Sequence, residues 1–255
     1  MKTLTLAQRH QLRARAEMEA AATPAADSMA GATTYEMQLM QLKQDQHRLK
    51  QMQSIDTRNL LKPTLLPAYD SYIDGVLAGG KGAADEVLTT VMLWHFDVAS
   101  FHRGLEIAAY ALTHNMSMPD RFSRTTATIV AEEIANAALD AYKQDLQFDY
   151  AVIDAANNLT ADKDMPDEVR AKLNFALAKA INPSEESELE QLEQSAALFR
   201  EAIRLHDRVG AKKDLERVER WIKKHADNAN AGGAETESAA SATDQTETES
   251  QSADS

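Results

Sequence analysis

Apolar residues recur along this chain at three- and four-residue intervals and nowhere alternate over the length of a strand, so the pattern predicts helices throughout. The expected helices span about 4–22, 33–56, 64–78, 83–99, 100–114, 126–145, 148–160 and 167–181, followed by a helical pair within 185–225 joined at Gly210. Chemically plain breaks separate them. Pro24, Asp27 and Gly31 close the first helix, and Gly79, Gly80 and Gly82 interrupt a later pair. Met118-Pro119-Asp120 makes a third break, while Asp164-Met165-Pro166-Asp167 starts a helix with a proline and an acidic first turn. Val87, Val91, Met92, Trp94, Phe96, Phe101, Leu105, Ala108, Ala109 and Leu112 fall on helical spacing and form the expected core. Trp94 and Tyr110 are read as packing residues rather than stacking platforms for bases.

Within 33–56, Tyr35, Leu42 and Leu49 recur every seven residues, with Leu39 and Met52 beside them. So narrow an apolar stripe suits packing against another long helix, and these five residues are the expected oligomerisation seam. Two heptads leave packing within the subunit and packing between subunits both open. Near the other end, Ala196, Ala197, Phe199, Ala202, Ile203 and Leu205 follow the small-then-large pattern of a tetratricopeptide-type helix. A lone pair of such helices cannot form a solenoid; it caps a domain or binds a partner helix. The expected fold class is all-α. It divides into a basic helix and linker (1–32), a long heptad-like helix (33–62), a central multi-helix domain (63–182), a tetratricopeptide-like pair (183–225) and a disordered acidic tail (226–255).

Charge sharpens that division. The 255 residues carry a formal charge of −13, yet residues 226–255 hold Asp227, Glu235, Glu237, Asp244, Glu247, Glu249 and Asp254 with no Lys or Arg. That tail has almost no large apolar side chain to bury; it is read either as a solubilising end or as a regulator competing for basic surface. The first helix is locally basic, with Lys2, Arg9, Arg13 and Arg15 against Glu17 and Glu19. A second basic surface carries Lys212, Lys213, Arg217, Arg220, Lys223 and Lys224 against Asp214, Glu216 and Glu219. The absence of cysteine excludes disulfides, thiolate zinc sites and cysteine nucleophiles. No run approaches the ~18 apolar residues of a membrane span, and the N-terminus is polar where a signal peptide is hydrophobic. The expectation is a soluble cytoplasmic protein.

Candidate chemistry is sparse. Gly75 to Gly82 (GVLAGGKG) matches seven positions of a GxxxxGK phosphate loop, but Gly82 lacks the hydroxyl for magnesium and a helix precedes the loop where a strand is needed. A glycine-rich helix stop explains it better. Glu132 with Glu133 diverge by ~100° on a helix, and Asp162, Asp164, Asp167 and Glu168 suit helix capping or a solvated surface more than a metal site. His95 and His102, seven apart, lack the i, i+4 spacing of a helical zinc site, as do the dispersed His10, His47, His114, His206 and His225. No Gly-x-Ser-x-Gly elbow occurs. No cofactor, metal or catalytic residue is expected; what remains is binding. Arginines on an exposed helix neutralise phosphates, and repetition of that helix in an oligomer multiplies modest contacts.

Several strings carry a resemblance: LAQRHQLRARAEM near the N-terminus, Thr34-Tyr35-Glu36, GKGAADEVLTTVMLWHFDVASFHRGLEIAAYAL from Gly80 to Leu112, Met118-Pro119, and ADKDMPDEVRAKL from Ala161 to Leu173. From about residue 5 to 225 the chain resembles the small terminase subunit of temperate contractile-tailed phages, the GpM type. The resemblance implies a protein of the infected host's cytoplasm that recognises a packaging site on viral double-stranded DNA. It also implies a homo-oligomer, expected as a ring, that delivers DNA to a large subunit supplying ATPase and nuclease. That family is often labelled an endonuclease subunit, whereas the carboxylates here suggest no intrinsic nuclease. Relatives can end in a Lys/Arg-rich tail; this chain ends in an acidic one, which moves the expected DNA contacts forward to Arg9, His10, Arg13 and Arg15, with Lys43, Arg48 and Lys50 on the next helix. The alternatives are a protein-only adaptor of the packaging machine and a metal-dependent endonuclease subunit.

Overall fold

A computed structural model describes the backbone of residues 4–119 and 123–241, with side chains through 227; Lys2, Asp120 and the acidic stretch 242–255 lie outside the described residues. Eleven α-helices occur among them, with a short 3-10 turn at Leu66–Ala68, one isolated bridge and no strand. They are α1 (Leu6–Ala22), α2 (Thr33–Lys50), α3 (Ile55–Leu65), α4 (Asp70–Gly79), α5 (Glu86–Asp97) and α6 (Phe101–Thr113). Beyond these come α7 (Thr126–Lys143), α8 (Tyr150–Thr160), α9 (Asp167–Ala180), α10 (Leu189–Leu205) and α11 (Lys212–Ser241). The protein is all-α, as the periodicity predicts.

Three boundaries differ from expectation, each for a physical reason. The long second helix stops at Lys50, and Ser54 starts a new one by accepting from the Thr57 amide at 3.4 Å. Pro63, expected to divide helices, lies inside α3. Its missing N–H falls in the last turn, and neighbouring Lys62 anchors that turn by donating to Asp97 at 2.6 Å and Asn59 at 2.9 Å. At the far end α11 continues past residue 226, where a disordered tail was expected to begin, as far as Ser241. Ala226, Ala229, Ala231 and Ala234 favour helix and offset the cost of Gly232 and Gly233.

The core is one large cluster plus a small satellite. Tyr69, Tyr72, Met92, Ile107, Ile134 and Ile153 lie at the heart of the first, which extends from Ala16 of α1 to Leu177 of α9. Trp94 is buried there edge-on to Tyr69, ring centroids 6.0 Å apart at 83°, as a packing residue. The satellite unites Ala178 with Leu192, Ala196 and Phe199 of α10 and with Ala211 and Val218. Ser195 ties the pair to α9 by donating to the Ala178 carbonyl at 3.1 Å.

The linker after α1 is pinned. Met29 is buried, its amide donates to the Ala84 carbonyl at 3.0 Å, and the Ala84 amide returns to Asp27 at 2.9 Å. Beside it, buried Asp85 caps α5, accepting from the Leu88 amide at 2.9 Å and the Tyr72 hydroxyl at 2.6 Å. Burial pushes its carboxyl up from 3.8 to about 6, against the lowering effect of those donors. A carboxyl that holds its proton more tightly when folded stabilises the fold most below the unfolded value, and that contribution fades as pH rises through about 6. Its full range is about 3 kcal/mol. Asp85→Asn keeps the cap acceptor, so urea unfolding between pH 4 and 7 is expected to show the variant gaining on the parent as pH rises; a constant difference would refute the assignment.

Candidate nucleic-acid interface

The basic helix begins with a reciprocal cap. Thr5 accepts from the Gln8 amide at 3.3 Å while the Gln8 side chain accepts from the Thr5 amide at 2.9 Å. Its inward face is alanine. Ala16 and Ala20, one turn apart, are buried where α1 meets α4, and α4 answers with Gly75 and Gly79, also one turn apart. A methyl group at Gly75 would lie 2.7 Å from the Ala16 Cβ, and one at Gly79 would lie 2.6 Å from the Glu17 carbonyl oxygen. The two backbones therefore approach as closely as helices can, by the small-residue geometry that side chains otherwise forbid.

That explains the glycine run. Gly75 and Gly79 admit α1, the helix ends at Gly79, and Gly82 turns the chain at φ +85° while its amide donates to the Tyr110 hydroxyl at 2.9 Å. Tyr110 is thus a packing residue, as expected, and the GxxxxGK likeness is a helix stop and a helix-packing surface.

At its far end α1 clamps α2. Glu19 accepts from the Thr34 amide at 2.9 Å and from its hydroxyl at 2.8 Å, placing a carboxylate on the N-terminus of α2 where Ala32 supplies no cap. Glu19 was read only as offsetting the arginines; its capping role depends on a contact between two helices.

Arg9, His10, Arg13 and Arg15 are all exposed, and none of their side chains has a hydrogen-bond or ion-pair partner among the described residues. They do not form one stripe. Arg9 and Arg13 stand one turn apart on the same side, whereas Arg15, two residues on, projects about 200° away from Arg13. On α2, Lys43 and Lys50 are exposed, but Arg48 pairs with Asp45 at 3.2 Å. Asp45 is buried and also accepts from Gln41 and the Tyr69 hydroxyl, each at 2.8 Å, so Arg48 is partly committed to the fold. The hydrogen bonds between α1 and α2 join Glu19 to Thr34 and bring none of the predicted cations together.

The apolar seam also resolves. Tyr35, Leu42 and Leu49 are buried within the chain and offer no surface to a second copy in this conformation, while Leu39 and Met52 are half-buried. The seam was legible, but its partner is the subunit's own core. Sequence reading missed the opposite stripe, where Met37 and Met40 remain 64% and 65% exposed beside Lys43 and His47. Its signal is the spacing Thr33, Met37, Met40, Gln44, His47.

No group of three potential metal ligands occurs among the described residues. Glu132 pairs with Arg124 and lies 4.0 Å from Lys172, Asp162 lies 3.2 Å from Lys163, and Asp167 and Glu168 occupy the first turn of α9. His95 is buried and its pKa is lowered to about 4, first by burial and then by Arg103, whereas His102 is exposed beside Asp149 at 3.6 Å. No helix among the described residues is long and apolar enough to cross a membrane.

Fold and site together describe an all-helical protein that displays cations on a tightly docked helix. The family model described as phage small terminase subunit matches residues 39–168. The "Terminase, endonuclease subunit" of Escherichia phage P2 is 37% identical over 217 residues, covering 85% of each chain. The "Probable terminase, endonuclease subunit" of Haemophilus phage HP1 is 33% identical over 81 residues, 31% of this chain and 27% of that one. No solved structure matches. The chain belongs to the phage small terminase subunit family.

The docking of α1 is directly testable. Gly75→Ala should lower stability by about 1–3 kcal/mol through overpacking, read by urea unfolding, and should speed amide exchange in α1 more than in α7. Uniform acceleration would show that α1 is not held there.

Proposed function

We propose that this chain binds the packaging site on viral double-stranded DNA, oligomerises as a ring and presents the DNA to the large ATPase/nuclease subunit in the cytoplasm of the infected host. The observation that carries this reading is the unpaired cationic end of α1, held on a helix fixed by glycine contacts at Gly75 and Gly79. Arg9, His10 and Arg13 meet the phosphates; Arg15, Lys43 and Lys50 supply flanking charge, and Arg48 contributes least because Asp45 holds it. Each copy neutralises few phosphates. Repetition around an oligomer multiplies them through effective concentration.

The second copy is met through the outward face of α2. Met37 and Met40 form an exposed apolar centre flanked by Glu36 on one side and Lys43 on the other. The C-terminal pair, α10 and α11, docks the large subunit.

The name of the phage P2 relative favours strand cleavage as a second reading. Magnesium-dependent nicking that disappears in Asp162→Asn, Asp164→Asn or Asp167→Asn would establish it in place of positioning alone.

Gel shifts with packaging-site DNA at two salt concentrations test the contacts. Replacing Arg9 and Arg13 with Ala should reduce the salt slope by about 2 per bound subunit, and Arg15→Ala by less. An unchanged slope removes α1 from the interface. Independently, Met37→Glu with Met40→Glu should lower the solution mass measured by light scattering, while Leu39→Ala should leave it nearly unchanged.

A further inference from the structure

Cations also converge far along the chain from α1. A cavity of about 420 Å³ opens between α7, α9 and the loop joining α10 to α11. Lys143, Lys172, Lys179 and Arg208 line it; Asp140, the one carboxylate among its described lining residues, pairs with Lys143 at 2.8 Å. Lys172 and Lys179 are partly buried, and Lys179 is held 3.6 Å from Asp214 and 5.7 Å from the ring centres of Tyr142 and Phe175. Arg208 has no ion-pair partner among the described residues.

Tyr142 forms part of the cavity wall. Its ring lines the wall, yet its hydroxyl is buried with no hydrogen-bond partner among the described residues. Burial pushes that phenol up to about 12, so it stays protonated and can donate at neutral pH. Arg208, uncompensated beside three lysines, favours an occupant that carries negative charge. Apolar Leu139, Phe175 and Val209 complete the lining. A cavity of this size admits side chains on a slim strand and excludes the width of a duplex, which favours carboxylates over a DNA backbone.

The chain itself carries a matching strand. Residues 242–255 contain Asp244, Glu247, Glu249 and Asp254 and no Lys or Arg. Reach decides whose strand enters. α11 starts beside the cavity and leads away for 30 residues, or about 45 Å. The fourteen residues 242–255 span at most about 50 Å fully extended, so returning along their own helix would sacrifice nearly all their conformational freedom. The segment of another copy is not tied to this α11 and need not retrace it.

We propose that the cavity between α7, α9 and the α10–α11 loop receives the acidic segment 242–255 of a neighbouring copy. The inference rests on the oligomer in the proposed function. It makes each subunit a receptor for the next one's tail, so that assembly is reinforced by charge as well as by the α2 face.

The chain has no cysteine, so Ser252→Cys gives one attachment point for a photo-crosslinker in the full-length protein. Mixing isotopically light and heavy copies and mapping the products by mass spectrometry separates links within a copy from links between copies. Light-to-heavy links into 139–143, 172–179 or 206–209 are expected. Their yield should fall about fivefold or more in about 0.5 M salt and in Lys143→Glu with Arg208→Glu, two exposed positions whose thermal midpoint serves as the folding control. Neutralising the segment by Glu247→Gln, Glu249→Gln and Asp254→Asn should do the same. Links confined to one copy, links to α1 or α2, or a yield indifferent to these changes would overturn the proposal. So would a loss of DNA affinity in Lys143→Glu with Arg208→Glu while the links persist, which would assign the cavity to phosphate. The solution mass of the same sample separates the two ideas: a monomer removes the oligomer as well, and an oligomer without these links removes only the docking.

Discussion

The close contact between α1 and α4 is the constraint on which the presentation of positive charge depends. Helices that meet through alanine and glycine bury little apolar area per residue, so the contact gains its strength from nearness and from rigidity of the backbones. That choice has a geometric benefit. A helix held by its backbone leaves long side chains free, and Arg9 and Arg13 project from a fixed axis without spending their charge on local ion pairs. Larger residues at Gly75 or Gly79 would lift α1 and swing the arginines with it.

Acidic groups do the complementary work inside. Glu19 joins the end of α1 to the start of α2, Asp45 gathers Tyr69, Gln41 and Arg48, and Asp85 joins α5 to Tyr72. Each satisfies donors that a junction between helices would otherwise strand. The chain is thus acidic in composition but spends several of its carboxylates as joints, leaving its cations in separate places: α1, the outer side of α2 and the cavity beside α9. Family membership is shown by similarity along most of the chain; the division of charge is what this structure adds.

Much of the fold was legible because its signals are local. Helical periodicity, the Asp167 start of α9 and the Gly210 turn need only a few neighbouring residues to be read. Ser54 was an equally local signal, but the apparent continuation of the second helix obscured it and α3 was not separated. The stripe of Tyr35, Leu42 and Leu49 showed that something packs there without showing what, since burial against a subunit's own core and burial against another copy demand the same side chains. The purpose of Gly75 and Gly79 was out of reach for a different reason: it is set by Ala16 and Glu17, some sixty residues earlier in the chain. The cavity beside α9 likewise draws on positions from Asn136 to Val209, which no local window unites.

Helix α9 has one side in each core, Leu177 in the larger and Ala178 in the smaller, one position apart. Its axis therefore works as a shared beam rather than as a hinge. A pull applied to the hairpin of α10 and α11 passes through Ser195 and Phe199 to α9, which also packs on α7. A load placed on that hairpin is therefore shared with the larger core through α9.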